Sequence, residues 1–177
     1  YREEPAPKDS GIWRVDLETG QARLIISLAD IAQRPPLPGD LSRAKHWFNH
    51  LLVNPDGTRF EFLHRWKLPD SKAVISGTRL FTAAPDGSAI RFLNTDTSHF
   101  NWRDPQHLLA WARHDPQGVG FFIFEDAEGG AAEPLPKDAV PANGHVSYLP
   151  GWEWILADSY PDAREQQHVV LYNVQRR

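Results

Sequence analysis

The chain has 177 residues, 41% of them apolar, with seven Trp and nine Phe, enough to bury a core and too apolar for a disordered tail. A net charge of −4 gives it no general basic face for phosphates, and the absence of cysteine removes disulfides and thiolate metal sites. No apolar run reaches the roughly 18 residues of a membrane span, and these features are compatible with either the cytoplasm or the periplasm of a bacterium.

In chain order, the first expected element is a hairpin over 11–28: Gly11-Ile12-Trp13-Arg14-Val15-Asp16-Leu17 turns at Thr19-Gly20 into an apolar run over 22–28. Residues 29–44, with Pro35, Pro36 and Pro38, form an insertion; helical periodicity is weak throughout the chain, although 25–31 could carry a turn. Residues 45–94 hold two hairpins, the first turning at Pro55-Asp56-Gly57 and the second at Pro85-Asp86-Gly87. Residues 98–136 repeat that layout, with turns at Asp104-Pro105 and Glu128-Gly129-Gly130, and 144–174 supply three further strands around Pro150-Gly151. Asp56 and Asp86 are turn formers.

His50, His99 and His145 recur at intervals of 49 and 46 residues, each ahead of a matching hairpin. A period in the high forties with paired hairpins is that of a four-stranded propeller blade. The expected fold is therefore all-β: one domain over 1–177, a partial arc of three to four antiparallel four-stranded blades from a larger, seven-bladed β-propeller. In it, 11–28 is half a blade, 29–44 the insertion, 45–94 and 98–136 whole blades, and 144–174 an incomplete one. The start at Tyr1 and the lack of any Met read as a fragment whose remaining blades are missing from this chain.

In a blade, the approach to the first strand and the exit from the second open on the same mouth. His46, His50, His99 and His145 would stand at the approaches. His64-Arg65-Trp66, Arg113-His114-Asp115 and Asp158-Ser159-Tyr160-Pro161-Asp162 would stand at the exits. The three repeated histidines should occupy equivalent positions in successive blades. Imidazoles suit proton transfer and metal ligation. They also tie blade strands together, as a Gly-His pair such as Gly144-His145 does in some propellers. Trp66 and Trp102 flank the mouth and could stack on sugar rings, although filling a core is the commoner fate of a Trp. There is no P-loop, dinucleotide-binding glycine pattern, nucleophile elbow or His-Glu-x-x-His helix.

The phrases Phe62-Leu63-His64-Arg65-Trp66, Ser98-His99-Phe100-Asn101-Trp102, Gly144-His145-Val146-Ser147-Tyr148 and Asp158-Ser159-Tyr160-Pro161-Asp162 resemble the β-propeller polysaccharide lyases, the family of oligogalacturonate and ulvan lyases. The resemblance covers about 46–174. It implies β-elimination on a uronate-containing, acidic oligo- or polysaccharide, with His46, His64 and Tyr160 in proton transfer and Arg65 at the substrate carboxylate. His50, Trp66, Trp102 and Arg79 are the further expected substrate contacts. His99 and His145 could supply part of a set for a divalent metal (Mn, Ca or Zn). The competing class is a non-catalytic propeller that binds a glycan or a protein with the same face, since fold alone confers no chemistry.

Overall fold

The computed structural model describes residues 4–175. It is all-β apart from one helical turn and a half. β1 (Gly11–Val15) and β2 (Ala22–Ser27) form a two-stranded sheet, followed by α1 (Leu28–Gln33). β3 (Lys45–Val53), β4 (Phe60–Lys67), β5 (Gly77–Ala83) and β6 (Arg91–Thr95) form a four-stranded sheet in chain order. So do β7 (Thr97–Asp104), β8 (His107–His114), β9 (Gly118–Glu125) and β10 (Ala132–Pro134). β11 (Val146–Tyr148), β12 (Trp154–Asp158) and β13 (Val169–Asn173) form a three-stranded sheet. Pairing is antiparallel in β1–β2, in β3–β4–β5, in β7–β8–β9–β10 and in β11–β12–β13, and among the described residues no sheet is closed.

Turn chemistry explains the hairpins. Gly57 and Gly87 take φ of +75° and +87°, which an L side chain adopts only with strain. At Gly87 a Cβ would also stand 2.1 Å from the carbonyl oxygen of Ile25, so glycine is required there for close packing as well.

The chain forms two compact units. In the first, 1–53 with 57–92, alternation along β4 and β5 sends Phe60, Phe62, His64 and Trp66 to one face, with Arg79 and Phe81 beside them. That face packs on Ile12, Ile26 and Ile31 from the first hairpin and α1. The inserted segment is thus part of the fold, its Leu41 and Ala44 closing over Trp66. In the second unit, 54–56 with 93–177, the core joins Leu109, Phe121 and Ile123 to Val146, Tyr148, Ile155 and Ala157.

The repeated histidines do not share one register position. His50 lies in a bulge of β3 between Asn49 and Leu52, and His99 is the extra residue of a bulge in β7 between Ser98 and Phe100. His145 precedes β11 altogether. A bulge adds a residue to one strand only, so equal sequence spacing does not give equal register.

Candidate functional site

The sequence-derived residues fall into two groups, one in each unit. In the first unit His46, His64 and Arg79 meet in the buried interior, 3%, 0% and 0% exposed. Cross-strand pairing sets them there, because His64 faces Arg79 across β4–β5 and Phe48 across β3–β4.

Arg79 donates through Nε and one η nitrogen to His64 Nδ1, at 3.2 and 3.1 Å. Its other η N–H groups go to the carbonyls of Ile31, Arg34 and Pro36. All five N–H groups of the guanidinium are thereby used. With Nδ1 an acceptor, neutral His64 carries its proton on Nε2 and donates it to His46 Nδ1, 2.8 Å away. His46 must then carry its own proton on Nε2, which faces the Leu41 carbonyl at 3.3 Å. Burial, with the Arg79 charge beside it, pushes the His64 pKa down to about 2, and burial also lowers that of His46.

This chain of donors fastens the 28–41 segment to the sheet. It leaves neither a free lone pair for a general base nor a guanidinium edge for a substrate carboxylate. An open cleft of about 500 Å³, lined by Ala32, Gln33, Leu37, Asp40 and Ser42, borders His46, which is itself buried.

The other residues expected to touch substrate in this unit are placed differently. Trp66 is 5% exposed and lies over Gly77, where a Cβ would fall 2.1 Å from the indole, so it fills the core. Arg65 lies on the opposite face of β4 from His64, because successive strand residues alternate. His50 is exposed at φ +54° in its bulge.

In the second unit His99, His145 and Tyr160 come together at the surface. The rings of His99 and His145 are 4.9 Å apart, and those of His99 and Tyr160 5.7 Å. The Tyr160 hydroxyl stands 3.2 Å from His99 Nε2, and His99 Nδ1 stands 2.9 Å from Asn143 Oδ1. An amide oxygen only accepts, so His99 carries its proton on Nδ1 and its Nε2 receives the tyrosine O–H. His145 Nδ1 is 3.0 Å from Asp158 Oδ2, which sets its tautomer in the same way and leaves Nε2 as an unengaged base. Hydrogen bonds from the His145 side chain and then its backbone N–H hold the Asp158 carboxyl below the usual range.

Local sequence builds this geometry. At Gly144 a Cβ would lie 2.0 Å from the Asp158 carbonyl oxygen, so only glycine lets the chain pass there. The same pass brings the His145 N–H to 2.6 Å from Asp158 Oδ1. His99 has φ +41°, a strained value for a non-glycine residue. An open groove of about 190 Å³ lies alongside, lined by His145, Ser147, Leu156, Asp158 and Val169. Trp102, by contrast, is 2% exposed and offers no ring face to a sugar.

Asn143 was not among the residues singled out from the sequence, and Asp158 was named only as an exit carboxylate. The one signal was their position, beside Gly144-His145 and before Tyr160. Among the described residues no three His, Asp or Glu side chains converge as a metal-binding group. At His99 and His145, three of the four imidazole nitrogens are already engaged by Asn143, Tyr160 and Asp158, so this arrangement does not fit a metal. No protein-family model, curated protein or solved structure compared with the chain matches it.

Proposed function

We propose that the four sheets are blades of a β-propeller arc and that the His99–His145–Tyr160 cluster performs β-elimination on a uronate-containing polysaccharide. Support for the blades is the strand order of the two four-stranded sheets, each a meander in chain order. The observation that carries the chemistry is the 3.2 Å contact of the Tyr160 hydroxyl with His99, beside a His145 whose Nε2 is left open by its bond to Asp158.

In this reading His145 Nε2 takes the proton from C5 of the uronate, with Asp158 holding the resulting imidazolium. The C4–O bond breaks, a C4–C5 double bond forms, and the Tyr160 hydroxyl protonates the departing oxygen. Solvent takes the proton from His145 and returns one to the tyrosine oxygen, which His99 Nε2 positions. Among the described residues no arginine or lysine is hydrogen-bonded within the cluster. The reaction needs His145 neutral and the Tyr160 hydroxyl carrying its proton.

The test is incubation of the purified protein with polygalacturonate and other uronate polymers, following the ultraviolet absorbance of the unsaturated ends. Absorbance should rise with the wild-type protein. It should fall by about 10²–10⁴ in rate in Tyr160→Phe and His145→Ala.

The second reading, a non-catalytic glycan-binding module, is favoured by exposure. Tyr160 is 55% exposed and the adjoining groove is shallow, whereas catalytic sites usually enclose their substrate. Binding of the polymer without any unsaturated product would establish that reading instead.

A further inference from the structure

We infer that Arg103, Tyr148 and Trp152 form a second binding site, for a sugar ring that carries a carboxylate, at the opposite ends of β7 and β11 from His99 and His145. This site lies within the second unit and does not depend on the proposed elimination.

Three observations meet there. The first is an orphaned hydroxyl. Tyr148 is 9% exposed, and its oxygen is buried with no hydrogen-bond partner among the described residues. Buried hydroxyls are ordinarily paired, and one that is not marks a place where a further polar group belongs. Its ring is held in place because its backbone N–H reaches Asn101 Oδ1 of β7 at 3.4 Å and its strand pairs with β12. The Arg103 and Asp104 charges lie near enough to act on the hydroxyl.

The second is a guanidinium with its working end open. Arg103 Nε donates to Asp104 Oδ2 at 2.8 Å, and neither η nitrogen has a hydrogen-bond partner among the described residues. Asp104 is itself occupied, accepting from the Gln106 N–H and from His107 Nδ1, so its charge is countered from two sides. The carboxylate thus fixes the guanidinium plane while the paired η groups, the edge that grips a carboxylate in bidentate fashion, remain available.

The third is an aromatic ring kept at the surface in a strained turn. Trp152 follows Gly151, takes φ +61°, and is 45% exposed, its ring 6.1 Å from that of Tyr148. Glycine would hold this turn without strain, so packing of the turn does not account for an indole here. An exposed indole face is a platform for the C–H face of a sugar ring. The neighbouring Glu153 is engaged by the Gln175 side chain at 3.3 Å. A ring with hydroxyls and one carboxylate satisfies all three groups. A neutral sugar leaves Arg103 unused, and a small anion leaves Trp152 unused.

The test is isothermal titration of His145→Ala protein, which removes the proposed general base, with trigalacturonate, galactotriose and acetate. Trigalacturonate should bind, galactotriose and acetate at least tenfold more weakly. Arg103→Gln and Trp152→Gly should each weaken trigalacturonate tenfold or more, and Tyr148→Phe severalfold. Trp152→Gly relieves the turn, so its thermal midpoint should not fall, which separates lost binding from lost folding. The inference is overturned if trigalacturonate does not bind at millimolar concentration, if galactotriose or acetate binds as tightly, or if Arg103→Gln and Trp152→Gly bind like the parent. Absence of unsaturated product in the polymer assay overturns the elimination alone and leaves this site standing.

Discussion

His46 Nδ1 and His64 Nε2 lie 2.8 Å apart between rings inclined by only 8°, and a single proton serves the pair. Its direction is imposed from one side, because Arg79 occupies His64 Nδ1 and forces the proton of His64 onto Nε2. Two imidazoles that look like an acid–base pair in sequence are therefore links in a fixed donor chain. That chain ends on the carbonyls of 31–41.

Removing its source should be costly. Arg79→Met deletes the donors to Ile31, Arg34, Pro36 and His64 while keeping much of the aliphatic bulk, and leaves buried acceptors unpaired. A loss of about 3–5 kcal/mol is expected in urea unfolding. Arg79→Lys should recover little of it, since an ammonium cannot reproduce the five-donor fork.

Stability should fall on both sides of a plateau in pH. His64 has a folded pKa of about 2, so below its unfolded value near 6.5 the unfolded chain binds the extra proton and stability is lost as pH falls. Buried Glu61 is the opposite case. Its folded pKa is raised from 4.5 to about 9 by desolvation, so its contribution is full below 4.5 and is lost as pH rises toward 9. Between about 4.5 and 6.5 the two slopes, each at most about 1.4 kcal/mol per pH unit, oppose each other. Glu61→Gln should flatten the alkaline limb and leave the acid limb in place, as read by urea midpoints across pH.

Gly144→Ala should separate the surface cluster without touching its side chains. The new methyl would meet the Asp158 backbone at 2.0 Å, so β11 and β12 must part and His145 loses its carboxylate. The expected result is a destabilisation of more than about 2 kcal/mol. The ring-nitrogen NMR signals of His145 should also move toward those of a histidine without a carboxylate partner.

His99 should tolerate residues by backbone conformation. At φ +41°, Asn should be accepted within about 1 kcal/mol, whereas Val should cost about 1–2 kcal/mol beyond any lost contact. Thermal midpoints of the two variants check the order. Both remove the partner of Tyr160, so both should lower any elimination rate alike.

Much of the strand layout was legible because its causes are local. Pro55-Asp56-Gly57 and Pro85-Asp86-Gly87 pin turns, and the apolar runs between turns have strand length. The insertion was legible as an interruption, while the helical turn in it settled at Leu28–Gln33, shifted toward the carboxyl side of 25–31. Arg79, set before Leu80-Phe81, carried one unused signal: a cation within a buried apolar strand needs several acceptors.

The sequence by itself determined the all-β class, the hairpins and their turn residues, because glycine and proline conformations and strand alternation act within a few residues. The tertiary structure alone decided which histidines are buried links and which are surface acid–base groups. His64 and His145 are the same side chain, one within the second strand of its hairpin and the other just ahead of a first strand. One is buried beside Arg79 with its donor and acceptor both filled, and the other lies on an open surface beside Asp158 with Nε2 unengaged among the described residues. That difference is set by desolvation and by partners distant in sequence, which no local pattern encodes.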